Sequence, residues 1–289
     1  MHGVSVFTPG LAGRITEVAR LRIPGIGMLD GARGVSAVSG TATCFPVGMV
    51  RGATWDEALE ECVGEAIGAE TRAKGGSMIL APVVNILRHP RWGRAQETYG
   101  EDTVHLGRMG VAFVRGAQRH VIANPKHYAL NSIEDTRFAV DVAVDERSYR
   151  YLDRNDTAPL FPFGFGLAYT TFRYSNLAIT PATVSPWGRV RVTAEVTNTG
   201  PVAGDEVAQL YVGYTGSRVA RAVRDLKAFA RVHLEPGETR TVPFEVRAPD
   251  LAYWDAGAGA LVVEPIAYTV EVGPSSRDLP LAGAFAVSP

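Results

Sequence analysis

The chain has 289 residues, with 29 basic and 30 acidic side chains and a formal net charge of −1. That balance argues against a nucleic-acid partner, which would need an excess of Lys and Arg to displace counterions from phosphates. A content of 46% hydrophobic and 20% charged residues excludes a disordered chain, and no apolar run reaches the roughly 18 residues of a membrane span. The length predicts about two domains. The opening MHGVSVFTPG lacks the basic and apolar regions of a signal peptide. The expectation is therefore a cytoplasmic protein, with secretion left open. Cys44 and Cys62 are too few for a disulfide framework and are expected to be small buried hydrophobes.

In chain order, the first 150 or so residues alternate strand-like and helix-like segments. An apolar run ends at Asp30 and is followed at once by Gly31, which suits a carboxylate on a tight loop at the C-terminal end of a strand. Thr54 with Glu57 three residues on reads as a capping box. Leu59, Cys62, Val63, Ala66 and Ile67 then recur at helical spacing, predicting a helix from Thr54 to Lys74 with that set as its apolar face. Gly75-Gly76 supplies the stop. Met78 to Ala81, bounded by Pro82, is too short for a helix and reads as a strand. Thr103 to about Gln118 predicts a second helix, and Val121 to Ala123 another buried strand. This alternation implies parallel βαβ units.

Beyond about residue 160 the period falls to two. Val190, Val192, Ala194 and Val196 alternate with polar neighbours, as do Val242, Phe244 and Val246, and Tyr268, Val270 and Val272. Turn signals separate the runs at Asn198-Thr199-Gly200-Pro201, Pro236-Gly237 and Gly273-Pro274. The pattern predicts an antiparallel β-sandwich of about seven strands. The polar, irregular stretch from Tyr151 to Pro159 is the natural boundary, giving domains at 1–150 and 161–289 with a linker at 151–160.

Several segments carry a resemblance. LRIPGIGMLDGARGV around Asp30, RHPRWGRAQETYGED from Arg88 to Asp102, NPKHYALNSIEDTR from Asn124 to Arg137 and DERSYR from Asp145 to Arg150 resemble, in order, motifs of glycoside hydrolase family 3, whose members include β-glucosidases and β-xylosidases. PLFPFGFGLAYTTF, NTGPVAGDEVAQLYV and LKAFARVHLEPGETRTVPF resemble the family's C-terminal fibronectin-type-III-like domain. The resemblance implies an α/β plus all-β fold: a partial (β/α) barrel-like domain followed by a fibronectin-type-III-like β-sandwich. It also exposes a gap. Family members complete an eight-stranded barrel after the segment around Arg150, and its later part carries the nucleophilic aspartate in a Ser-Asp-Trp-like motif. An α/β-sandwich domain with the acid/base group follows. Here Arg150 leads within about ten residues to the β-domain, and no Ser-Asp-Trp tripeptide occurs. The pair Trp254-Asp255 lies inside the β-domain and is expected to be structural.

A pyranose is held by groups that bond vicinal hydroxyls from fixed directions: a carboxylate accepts two, while Arg and Lys donate at charge-assisted strength. By motif position, the resemblance implies that Asp30, Arg94, Lys126, His127 and Arg137 bind the non-reducing glycosyl unit. Each also has a plainer reading, Asp30 as a turn carboxylate and Arg94 as the partner of Glu97 or Glu101. Hydrolysis needs two carboxyl groups, about 5–5.5 Å apart for retention or about 6.5–9.5 Å for inversion. With the usual nucleophile absent, Glu134 and Asp135 are the candidate catalytic carboxylates, near Lys126-His127 in sequence, with Asp145 and Glu146 ending the next strand-like run. Glu134 equally suits an acidic residue without catalytic duty. Trp92 and Tyr99 suit either stacking on a sugar face or packing.

No dinucleotide fingerprint, P-loop, nucleophile elbow or zinc-site spacing is found, so no metal or cofactor is assigned. The expected partner is a small saccharide or β-glycoside, with no nucleic acid and no membrane. Three or four βα units also leave a parallel sheet with unpaired edges. A dimer is therefore expected, two half-sheets closing one barrel, unless the β-domain covers an open sheet. Two readings stay open: a β-glucosidase-type hydrolase with non-standard carboxylates, and a non-catalytic carbohydrate-binding protein derived from one. An inert remnant is a third.

Overall fold

The computed structural model describes residues 12–36, 40–127, 131 and 148–289, and the chain divides into two units, Met1–Asp145 and Glu146–Pro289. In the first unit, β1 (Gly13–Ile15), β2 (Ile26–Asp30), β3 (Met78–Leu80) and β4 (Ile122–Ala123) form one sheet in that order. β1 runs antiparallel to β2, and β2, β3 and β4 are parallel. The crossovers are helical: α1 (Gly48–Gly52) and α2 (Glu57–Ala73) join β2 to β3, and α3 (Thr103–Ala117) joins β3 to β4. Leu29, Ile79 and Ala123 of the sheet pack with Val63, Ile67, Phe113 and Ala117 of the two long helices in one core. The result is a partial barrel-like α/β unit, built as the apolar periodicity predicts.

Two details of α2 differ from the sequence reading. Its N-cap is Asp56, whose carboxylate accepts from Leu59 N at 2.9 Å, whereas Thr54 Oγ1 donates to Arg51 O at 2.6 Å and belongs to the preceding turn. Asp caps as well as Thr, and the turn has already engaged the hydroxyl. The buried face is also rotated: Glu60, Val63, Gly64, Ile67, Gly68 and Thr71 are inside, while Leu59 and Cys62 are exposed. Two forces turn it. Glu60 is drawn inward by Arg51 and Tyr99, and glycines permit close approach to α3. A Cβ at Gly116 would overlap the Glu61 carbonyl oxygen, and one at Gly64 the Phe113 carbonyl oxygen. Because backbone cannot yield there as a flexible side chain would, Gly116→Ala is expected to destabilise the first unit by about 1–3 kcal/mol, read as a lower urea midpoint. Cys44 is exposed too, so neither cysteine is the buried hydrophobe expected; Cys62 sits on the solvent side of α2 and Cys44 in the loop before α1.

The second unit starts with α4 (Tyr149–Arg154), which takes up the first residues of the expected linker. The hydroxyl of buried Tyr149 accepts from Leu226 N at 3.1 Å, and Arg150 Nε donates to Asp225 Oδ1 at 2.5 Å. The strands are β5 (Phe172–Thr180), β6 (Thr183–Val184), β7 (Arg189–Asn198), β8 (Gly204–Thr215), β9 (Asp225–Leu234), β10 (Thr239–Arg247), β11 (Tyr253–Asp255), β12 (Ala260–Val262), β13 (Ala267–Gly273) and β14 (Leu281–Val287). One sheet runs β10-β7-β5 and the other β6-β14-β13-β8-β9, with β11 and β12 as a separate hairpin. The alternating residues Val190, Val192, Ala194, Val196, Val242, Phe244, Val246, Tyr268, Val270 and Val272 all lie in the shared core. At the Asn-Thr-Gly-Pro turn, buried Asn198 donates to Val202 O and Leu234 O at 2.8 and 3.0 Å and accepts from Thr170 Oγ1 at 2.7 Å and Gly200 N at 3.1 Å. Trp254-Asp255 is in β11, and Asp255 accepts from Gly257 N and Ala258 N in the hairpin turn, a structural position. No described helix is long and apolar enough to cross a membrane.

Candidate functional site

The site forms where the parallel strands end. Asp30 is the last residue of β2, and its Oδ1 accepts from Gly31 N at 2.9 Å. Its carbonyl accepts from both the amide and the hydroxyl of Ser36, at 2.7 and 3.0 Å, closing the loop over 31–36. Gly34 in that loop adopts φ +126°, and a Cβ there would overlap the Thr43 carbonyl oxygen, so only glycine lets the loop lie so close to the chain. Lys126 follows β4. Its backbone extends the β3–β4 pairing past the strands, donating to Pro82 O at 2.8 Å and accepting from Val84 N at 2.7 Å. This fixes the root of a side chain whose Nζ reaches Asp30 Oδ1 at 2.5 Å.

Arg94 opens the 3-10 turn Ala95–Glu97 and makes two parallel hydrogen bonds to Glu97, Nε to Oε1 and Nη2 to Oε2, both at 2.7 Å. Glu97 is thus a partner of Arg94, as the sequence allows. Asp30, Arg33, Cys44, Arg94, Glu97 and Lys126 line a single cleft of about 310 Å³. That lies at the small end of the roughly 300–1,000 Å³ typical of ligand clefts. Among the described lining residues, three cations face two carboxylates, so the wall offers both charged donors and charged acceptors to hydroxyl groups.

His127 follows through a cis Lys126–His127 peptide. Its backbone N donates to Asn85 Oδ1 at 2.7 Å and its ring Nδ1 lies 2.9 Å from the same oxygen. Burial pushes its pKa down to about 4, with the Arg94 and Lys126 charges adding to the effect. His105, on α3, is likewise pushed down to about 4 by burial and by Arg108, against the hydrogen bond of its Nε2 to Gly52 O. Both imidazoles are thus neutral at pH 7. Above the ordinary value of 6.5 folded and unfolded chains are both unprotonated, and as pH falls below it only the unfolded chain gains the proton. Stability is therefore lost as pH falls from 6.5 through about 4, and the buried His105 alone is expected to remove up to roughly 3 kcal/mol from the first unit. Urea titrations at stepped pH check this.

Asp30, Arg94 and Lys126 therefore share one cleft, and His127 lies within the field of its charges. Arg137, Glu134 and Asp135 fall outside the described residues, as do Asp145 and Glu146. Trp92 and Tyr99 are buried, so packing is their role. Sequence reading missed Arg33 and Cys44 as lining residues and Asn85 as the partner of His127. The one signal for Asn85 is a lone amide inside the apolar run AlaProValValAsnIleLeu, 81–87. No described group of three or more His, Cys, Asp or Glu could hold a metal ion.

Residues 206–276 match the fibronectin type III-like domain. The chain is 39% identical over 191 residues to the probable β-glucosidase M of Aspergillus flavus, covering 60% of this chain and 24% of the relative. It is 43% identical over 170 residues to the β-glucosidase cel3A of Pyricularia oryzae, covering 53% of this chain and 23% of the relative. The crystal structure of the Bifidobacterium adolescentis GH3 β-glucosidase superposes with a TM-score of 0.80 at 16% identity, covering 98% of this chain and 94% of that one. At that identity the superposition establishes fold alone. The chain is related to the family 3 glycoside hydrolases. It resembles the family's first barrel segments joined to its C-terminal β-domain, and it spans about a quarter of the length of the curated relatives it matches. Those relatives are glycosidases by name, so the family to which this chain is related is one of enzymes.

Proposed function

We propose that this family-3-like chain handles small β-linked glycosides, holding the glycone in the cleft at the ends of the parallel strands. The observation that carries the reading is Asp30, placed at the end of β2, paired with Lys126 and sharing its cleft with Arg94. A hexose bound there would donate two hydroxyl hydrogen bonds to the Asp30 carboxylate and accept hydrogen bonds from Lys126 and Arg94, with Arg137 completing the clamp. Both carboxylates among the described lining residues, Asp30 and Glu97, are engaged by cations, which favours binding as the core activity. Hydrolysis of β-glucosides is the second reading. The names of the curated relatives support it, and it assigns acid and nucleophile to Glu134 and Asp135.

The test is calorimetric titration with methyl β-D-glucoside beside turnover of aryl β-glucoside, galactoside, xyloside and N-acetylglucosaminide. Saturable binding that Asp30→Asn removes is expected, and turnover lost in the same variant would add the hydrolase. Binding without turnover leaves a carbohydrate-binding protein, and neither binding nor turnover on any sugar overturns the proposal. Self-association through the β4 side of the sheet belongs to the same reading, and sedimentation across micromolar concentrations tests it: a strictly monomeric species removes it.

A further inference from the structure

We propose that Asn85 is a positioning residue that fixes His127 as its Nδ1–H tautomer, so that Nε2 serves the bound glycoside as a hydrogen-bond acceptor. The inference rests on the reading of the cleft as a glycone site and adds to it a direction of hydrogen bonding. Its premise is the identity of one atom. The side-chain amide of Asn85 meets His127 at three points: Oδ1 faces the backbone N at 2.7 Å and ring Nδ1 at 2.9 Å, and Nδ2 faces the backbone carbonyl oxygen at 3.4 Å.

A backbone N–H only donates, so the amide atom opposite it is the oxygen; a backbone carbonyl only accepts, so the atom opposite that is the nitrogen. Both ends of the amide are thereby assigned. An amide oxygen only accepts, so Nδ1 must carry the proton. In a neutral imidazole the other nitrogen is then a bare lone pair.

Asn85 is itself held in place. It is 5% exposed, and its own carbonyl accepts from Thr98 Oγ1 at 2.5 Å. The main chain is thereby anchored, and the amide is held by its own two bonds to the His127 backbone. The ring stays neutral through the physiological range, because burial and the charges of Arg94 and Lys126 outweigh those of Glu97 and Asp30. These four charged groups are also four of the cleft's lining residues. With a glycoside in the cleft, Lys126 and Arg94 donate to the sugar and Asp30 accepts from it; His127, which lies beside the cleft and not among its described lining residues, adds Nε2 as a second acceptor. An imidazole of the opposite tautomer would add a further donor beside the cations and leave a hydroxyl proton without an acceptor.

Long-range proton–nitrogen correlation spectra of the full chain, with His127 assigned by its loss in His127→Gln, decide the matter at pH 7. The expected result is a protonated Nδ1 and a bare Nε2, with the Nε2 resonance moving on addition of methyl β-D-glucoside. Asn85→Leu is expected to release the ring and weaken that ligand about tenfold, the loss of roughly one hydrogen bond to a charged or polar partner. Asn85→Asp keeps the acceptor at Nδ1 and is expected to retain the tautomer while raising the pH at which the ring titrates. It serves as the second variant should Asn85→Leu fail to fold. A protonated Nε2 in the wild type, or a tautomer and ligand affinity unchanged in Asn85→Leu, overturns the inference. If Nδ1 is protonated but no glycoside moves any His127 resonance, the acceptor role falls. If no glycoside binds by calorimetry either, it is the glycone reading that has failed, and the tautomer stands as a property of the fold.

Discussion

Asp30→Asn is expected to weaken methyl β-D-glucoside binding by at least about a hundredfold while leaving the first unit folded. The carboxylate accepts at either oxygen, so two sugar hydroxyls can donate to it at charge-assisted strength. An amide accepts at one end only and presents N–H groups at the other. Two hydrogen bonds to a charged group are worth about 1.5–3 kcal/mol each, and about 1.4 kcal/mol is a tenfold change in affinity. Stability should move far less than affinity: Lys126 is only 14% exposed, but Asp30 is 44% exposed and the amide oxygen still accepts from the ammonium, so the loss is that of a partly exposed pair, about 1 kcal/mol. The two readouts separate a binding residue from a structural one. Lys126→Gln should also lose affinity, and the two losses should not add, since Asp30 and Lys126 touch each other and act on one ligand. Calorimetry on the two single variants and the double variant checks all three statements, and equal affinity in Asp30→Asn and wild type would remove the clamp from this cleft.

Much of this site was legible in the chain because its parts are local. Asp30 before Gly31 marks a strand end, and Lys126 sits three residues beyond the strand-like Val121 to Ala123. Both placements follow from periodicity, and the roles proposed for them rest on the motif resemblance. The β-sandwich was legible for the same reason: Val190 to Val196 and Tyr268 to Val272 alternate strictly, and alternation needs no knowledge of distant partners. What escaped was non-local. Glu60 is charged and falls outside the apolar set of its helix, so the periodicity alone rotates α2 by about one position. Only Arg51, nine residues earlier, and Tyr99, thirty-nine later, explain its burial. Asn85 escaped likewise, since its partner His127 is forty-two residues away. Cys62 is exposed because burial of a small apolar residue depends on which face the helices close over, which Gly64, Gly68 and Gly116 decide; Cys44 lies in the loop before α1, where it lines the cleft and no periodicity applies.

The buried trio behind the cleft leads to the second large effect. Arg51 Nε lies 2.9 Å from Glu60 Oε2, and Tyr99 donates to Glu60 Oε1 at 2.6 Å. All three side chains are buried. Each Nη nitrogen of Arg51 also donates once, Nη1 to Pro46 O at 2.9 Å and Nη2 to Ala32 O at 3.0 Å. Ala32 belongs to the loop that lines the cleft, so one guanidinium ties α1, α2 and the ligand loop together. Removing it leaves Glu60 buried without its countercharge and the Ala32 carbonyl without its donor. Arg51→Met is expected to cost about 3–5 kcal/mol at pH 7, seen as a large fall in the urea midpoint of the first unit. The pH dependence gives the cause away. Burial already raises the Glu60 pKa above its ordinary value, against the pull of Arg51 and the Tyr99 hydrogen bond, and loss of Arg51 raises it further. A carboxyl whose folded pKa lies above its unfolded one favours the folded state at low pH and loses that contribution as pH rises through the folded value. The penalty of Arg51→Met should therefore shrink between pH 7 and pH 5. The acid titration of His105 is common to both proteins and cancels in the difference. Arg51→Met with Glu60→Gln should recover much of the loss at pH 7, because neutral groups that fit the space need no countercharge. A penalty independent of pH, with no recovery in the double variant, would assign the effect to lost packing and not to the stranded charge.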